Sequence, residues 1–126
     1  MEEILVTKDS ARKLRLLGHN EWCDCYYHTD NDDEYDYEMG NNQIRNDTFK
    51  DYHERIAAPY VSEALLWLMQ EKNVGLEVKL DKEHRKYHVT LIIGSHRYTS
   101  SYYKLDYQEA LKEVIDELLF KENFGR

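Results

Sequence analysis

The chain has 126 residues, 41% of them hydrophobic and 33% charged, with a formal net charge of −8, 11 tyrosines, 2 cysteines and a single proline. That length suits one domain with one buried core, and the scarcity of Gly and Pro argues against long disordered linkers. The opening MEEILVTKDS lacks the basic start and apolar core of a secretory signal, and no stretch approaches the roughly 18 apolar residues of a membrane span, so a cytoplasmic protein is expected.

The acidity is uneven. Residues 1–58 hold 7 basic and 14 acidic side chains, whereas residues 59–126 hold 10 and 11, so the negative charge belongs to the N-terminal half. Neither half has the basic surplus that phosphate contacts require, which disfavours general nucleic-acid binding.

In chain order, the spacing of Ala11, Leu14 and Leu17 predicts a helix over residues 8–17, with Thr7 as its cap, Asp9 in the first turn and Gly18 as its stop. Residues 22–27 alternate as a short strand, with Cys23, Cys25 and Tyr27 sharing one face. Residues 28–58 show no sustained period. They read as a long acidic, Tyr-rich loop with one helical turn over residues 49–56, and loops of that length are usually functional or mobile. Pro59 suits the first position of a second helix, whose stripe Val61, Ala64, Leu65, Leu68 carries it to Lys72, with Asn73 or Gly75 as its end.

Three alternating runs follow, residues 76–80, 85–93 and 96–103. Gly94-Ser95 is a two-residue hairpin signal that pairs Ile93 with His96, Leu91 with Tyr98 and Val89 with Ser100. The other connection, Asp81-Lys82-Glu83-His84, pairs Leu80 with Arg85, Val78 with Tyr87 and Leu76 with Val89. Both registers put Leu76, Val78, Leu80, Tyr87, Val89, Leu91 and Ile93 on one face, and a slip of one residue would break that agreement. A last helix opens with a capping box from Asp106 to Glu109 and a staple of Leu105 on Ala110, and it buries Tyr107, Ala110, Leu111, Val114 and Leu118. The expected fold is α+β in a single domain over residues 1–126. Its core, residues 59–122, is a three-stranded antiparallel meander with helices packed on one face; a helix and short strand (1–27) and the loop (28–58) precede it.

The order helix, three strands, helix resembles the double-stranded RNA-binding domain in topology. That family grips RNA through a histidine-bearing loop between its first two strands and a lysine cluster opening its last helix. Here the loop carries Asp81 and Glu83 beside His84, and the last helix opens with Asp106-Tyr107-Gln108-Glu109, so the resemblance implies the fold and not the RNA function. A first helix ending at Leu17-Gly18, then NEWCDCYY, APYVSEALLWLMQEKNVGLEV and YQEALKEVIDELL, together resemble a group of small uncharacterised proteins from Bacteroides-type bacteria and their phages. That resemblance covers most of the chain outside residues 28–55. It implies the architecture and a cytoplasmic setting, and nothing catalytic.

The stretch CDCYYHTDNDDEYDYEMG holds the candidate chemistry. Cys23, Cys25 and His28 are zinc-ligand types, with His19, His53 or a carboxylate as a fourth, but structural zinc cysteines usually sit two to four residues apart on a turn and there is no second pair. Two inward cysteines on a strand are the simpler reading, and a disulfide is disfavoured because i and i+2 on a strand lie about 6.6 Å apart. A calcium loop needs Gly at its sixth position and Glu at its twelfth, and counting from either Asp30 or Asp32 fails at both. His88 is expected to face Glu77 and Ser101, without an oxyanion hole or nucleophile elbow, and the scattered glycines form no phosphate-binding loop.

No cofactor and no metal are therefore expected. The reading these residues favour is a non-catalytic protein-interaction module, related to phage or mobile-element proteins, with an unknown basic partner and no membrane. Its contact residues would be the aromatics Tyr26, Tyr27, Tyr35 and Tyr37 and the carboxylates Asp30, Asp32, Asp33, Glu34, Asp36 and Glu38, the charges steering association and the rings anchoring it. A small metal-binding protein is the alternative, and an enzyme of unknown class a weaker one.

Overall fold

The computed structural model describes residues 3–31, 33, 37–49, 55–100 and 106–124. It is a mixed α+β structure. Helix α1 is Lys8–Leu16, α2 is Val61–Lys72 and α3 is Tyr107–Lys121; strands β1 (Cys23–His28), β2 (Tyr37–Ile44) and β3 (Arg55–Ala58) precede α2, and β4 (Gly75–Asp81), β5 (Lys86–Ile93) and β6 (His96–Thr99) lie between α2 and α3. The strands form two antiparallel sheets, ordered β2-β1-β3 and β4-β5-β6.

The helix ends follow local chemistry. Thr7 accepts a hydrogen bond from the Ser10 amide and so caps α1, while Gly18 turns the chain away at φ 99°. Asn73 takes the left-handed conformation, φ 56°, that ends α2. Asp106 caps α3 by accepting from the amides of Gln108 and Glu109 at 2.8 and 3.4 Å; Leu105, the expected staple, lies outside the described residues. Pro59 is not the first helical residue. Tyr60 caps α2 from an extended conformation, and the Pro59 carbonyl is instead used by the Val6 amide, part of a short antiparallel bridge between Leu5 and Tyr60.

The larger correction concerns residues 28–58, expected as a loop. They contain β2, a 3₁₀ turn over Asn46–Phe49, and β3, and these two strands flank β1 to complete a sheet. The helical turn expected over residues 49–56 is not there in its described part: the 3₁₀ turn ends at Phe49, and Arg55 and Ile56 are strand, with residues 50–54 outside the described set. The sequence YEMGNNQI hides β2 because Gly and Asn are depleted in strands and its apolar residues do not alternate. RIAA is too short to show a period, and Asn46 holds its position, accepting from the Ala57 amide and donating to the His19 carbonyl.

In the second sheet β5 and β6 pair as expected, Ile93 with His96 and Leu91 with Tyr98. Between β4 and β5 the register differs by two residues: Leu80 faces Tyr87, Val78 faces Val89 and Leu76 faces Leu91. The turn takes in Arg85 at φ 52°, closing on Asp81 and Lys86, with the Asp81 carboxylate accepting from the His84 amide at 3.2 Å. A shift of two preserves side-chain faces, so the expected apolar set stays together.

Helix α3 is central. It contacts β5 and β6 of the second sheet as well as α1 and α2, and α1 contacts β3 of the first. Its Ala110, Leu111, Val114, Ile115, Leu118 and Leu119 are all buried in one cluster with Leu14, Ile56, Leu68, Val89 and Leu91. Removing a completely buried leucine from that cluster leaves a cavity as well as losing transfer free energy. Leu118→Ala should therefore lower stability by about 2–5 kcal/mol, read from urea melts.

A buried histidine gives the fold a dependence on acid. His19 is 2% exposed and lies edge-on to Trp67 with ring centroids 5.2 Å apart, and burial lowers its pKa from 6.5 to about 4. Between those two values the unfolded chain binds the proton and the folded one does not, so stability falls as pH falls through that window, by at most roughly 3 kcal/mol. Glu63, raised by its burial, contributes with the opposite sign at the lower end. Comparing His19→Asn with the native chain isolates the imidazole: the variant should lose distinctly less stability between pH 6.5 and 4.5.

Candidate functional site

Strand β1 alternates strictly, Cys23, Cys25 and Tyr27 buried and Asp24, Tyr26 and His28 half-buried. This separates the residues of the zinc hypothesis. The cysteines point into the core, His28 points to the opposite face, and among the described residues no three metal-ligating side chains of His, Cys, Asp or Glu converge. Burial, and the carboxylates of Glu63, Asp24 and Glu21 nearby, push the Cys23 thiol up to about 12, and burial also raises Cys25, so both are protonated core side chains rather than ready ligands or nucleophiles.

Tyr27 belongs to the core rather than to an exposed acidic surface. It is 4% exposed and its hydroxyl donates to the Val6 carbonyl at 2.7 Å. On the outer face, Tyr26 donates to Glu38 at 2.5 Å and His28 Nε2 lies 3.3 Å from the same carboxylate, while Phe49 and the Arg55 guanidinium pack on the Tyr26 ring. The Tyr26 and His28 hydrogen bonds hold the Glu38 carboxyl below its usual range. Asp30 and Asp33 are exposed, and Asp32, Glu34, Tyr35 and Asp36 lie outside the described residues. The expected grouping of Glu77, His88 and Ser101 does not form as stated. Glu77 pairs with Thr90 across the strands and with Arg97 by an ion pair, His88 stands opposite Lys79, and Ser101 lies outside the described residues.

Lys8, first residue of α1, is 2% exposed and anchors the start of the acidic run. Its ammonium donates to the carbonyls of Asn31 and Asp33, both at 3.0 Å, and to Asn31 Oδ1 at 3.2 Å. A cation in the first turn opposes the helix dipole, and these three acceptors offset that cost.

What the inner face of the first sheet leaves uncovered is a cleft. Helix α1 contacts β3, but towards the β2 edge Tyr37 and Met39 are 49% and 63% exposed. Between this edge, residues 3–7 and the start of α3 opens a space of about 700 Å³ lined by Glu3, Ile4, Leu5, Thr7, Asp24, Cys25, Tyr27, Tyr37, Met39, Tyr60, Glu109 and Lys112. Three carboxylates stand against one ammonium, and three tyrosines and a thioether supply the walls. The Tyr27 and Tyr37 rings meet at 79° with centroids 6.1 Å apart, forming a corner. Burial, together with the neighbouring Cys25 and Asp24 side chains, raises the Tyr60 phenol to about 12. The Cys25 and Met39 sulfurs are 3.1 Å apart. Of the residues picked out in the sequence the cleft includes Tyr27 and Tyr37; Glu3, Asp24, Tyr60 and Glu109 come from four separate stretches with no local signal to join them. A second groove of about 680 Å³ lies between α1 and α3 beside the exposed Leu16 and Phe120, but its charges include the internal pair Arg12–Asp9 and it has no tyrosine.

The chain matches no protein-family model, no curated protein and no solved structure. Among the described residues no helix is long and apolar enough to cross a membrane.

The Lys8 anchor makes a local prediction. In Lys8→Met the stem remains but the donors are gone, so stability should fall by about 1–3 kcal/mol. Amide hydrogen exchange should quicken at residues 29–33 while α3 keeps its protection relative to global unfolding; unchanged exchange there would show that the acidic run is held by other contacts.

Proposed function

We propose that the protein is a non-catalytic interaction module of the cytoplasm, of the kind carried by phages and mobile elements, that engages a basic segment of another protein through the cleft beside β2. Its structural unit would be α2, the β4-β5-β6 meander and α3, with both helices on the apolar sheet face, and the first sheet would serve as the recognition platform. The observation that carries this reading is the lining of the cleft: Glu3, Asp24 and Glu109 around aromatic and thioether walls, against Lys112 alone. Clustered carboxylates steer a basic patch towards them, and exposed aromatic and methionine surface supplies contact area once water is displaced. A catalytic reading finds less support, because the two thiols are held protonated and Glu77 and His88 are not paired across the strands.

Binding of labelled peptides tests the proposal. A lysine- and arginine-rich nonapeptide should bind in the micromolar range, more weakly at high salt, and its acidic counterpart should not bind. Neutralising Glu3→Gln, Asp24→Asn and Glu109→Gln together should cost roughly tenfold or more, a change of about 1.4 kcal/mol. The control Asp47→Asn, Glu71→Gln, Glu83→Gln removes the same charge elsewhere and should have little effect. Equal losses in the two triple variants would reduce the attraction to overall charge and defeat the proposal.

A further inference from the structure

We propose that the cleft selects arginine: one guanidinium of the basic segment enters beside the exposed ring of Tyr37, its plane against that ring and its edge towards Asp24 or Glu109. The inference rests on the reading of the cleft as a site for basic segments and names the side chain that seats there. Three features separate arginine from lysine. Beside its charged groups the lining carries apolar and aromatic side chains, Ile4, Leu5, Tyr37 and Met39 among them, so an entering cation exchanges part of its water for these surfaces. Some of the polar groups that would replace that water are already engaged. Tyr27 donates to the Val6 carbonyl, and Glu3 accepts from Ser62. An ammonium is strongly hydrated and needs three acceptors, whereas a guanidinium is weakly hydrated, stacks on rings and directs its donors in one plane towards a carboxylate. The buried Tyr27 ring stands at 79° to Tyr37 and braces it, leaving the half-exposed Tyr37 ring as the surface for a flat cation held on one side. The same chain already uses this contact elsewhere, with the Arg45 guanidinium 4.6 Å from the centre of the Trp22 ring.

The test uses the whole chain and three peptides that differ at one central position, arginine, lysine or citrulline, in an otherwise lysine-containing basic sequence. The arginine peptide should bind about fivefold more tightly than the lysine peptide, and citrulline, which keeps the shape without the charge, more weakly than either. Tyr37→Phe keeps a ring and should keep the preference; Tyr37→Leu, a change at a half-exposed edge position that the fold tolerates, should abolish it. The Met39 methyl resonance should shift on adding the arginine peptide. Equal, salt-sensitive binding of arginine and lysine would overturn the arginine assignment while leaving the basic-segment reading intact. An arginine preference that survives Tyr37→Leu would overturn the assignment to the Tyr37 ring. Failure of all three peptides to bind would remove both.

Discussion

The apolar stripe of α3 is the contact on which the other elements depend. Six of its side chains, from Ala110 to Leu119, are withdrawn from water, each of the larger ones contributing about 1.5–3 kcal/mol by burial. One side of the helix lies on β5 and β6, and others meet α1 and α2. Polar contacts then fix the orientation of its C-terminal half. Asp116 accepts from Thr7, at 2.7 Å, and from Ser10, so the carboxylate of one helix ties down the N-terminus of another. Near the far end, Glu122 takes the Tyr98 hydroxyl and lies 2.9 Å from His96. With α3 placed, the first turn of α1 is placed, and through α1 and residues 3–7 the first sheet follows.

That chain of dependence explains where the cleft lies. The first sheet meets the core through β3 and the inner side of β1, where Ile56, Ala58, Cys25 and Tyr27 are sealed. Its third strand, β2, is an edge strand whose inward Tyr37 and Met39 stay 49% and 63% exposed. Residues 3–7, bridged to Tyr60, and the first turns of α3 then form the other wall. Part of the acidity of the N-terminal half thus has a location: Glu3 and Asp24 line the cleft, joined there by Glu109 of α3, while Asp30 and Asp33 are exposed and Lys8 holds the Asn31 and Asp33 carbonyls.

Much of the architecture was legible where periodicity is strong. The stripes of α2 and α3, the caps at Thr7 and Asp106 and the Gly94-Ser95 hairpin are local signals, and each is present in the structure. The β4-β5 register was misread by two because a loop that uses Arg85 in the left-handed region is chemically unusual; such a conformation is expected of Gly or Asn. Since faces repeat every two residues, that error was invisible to the apolar pattern yet displaced His88 from Glu77. Strands β2 and β3 were not legible because neither has an intrinsic preference to declare: their partner β1 supplies the hydrogen bonds. The same reason hid the candidate site. A cleft assembled from separate stretches has no spacing in the chain, and of the expected contact residues only Tyr27 and Tyr37 pointed towards it.

The burial of Tyr27 and the exposure of Tyr37 show why residue type alone did not settle the contact surface. The two are directly paired across β1 and β2 and point to the same side, so sequence chemistry treats them alike. Their difference arises from position in the sheet. Tyr27 is on the central strand and its hydroxyl donates to the Val6 carbonyl; Tyr37 is on an edge strand, where among the described residues no further strand pairs. A half-exposed tyrosine at a sheet edge keeps its hydroxyl wet while offering ring area for a contact. With carboxylates rather than aliphatic side chains around the opening, a greasy partner surface would strand those charges without water, whereas a cationic side chain would satisfy ring and carboxylates together. Under the proposed reading, one tyrosine at the edge of an acidic cleft narrows the chemistry of a partner more than the overall negative charge does.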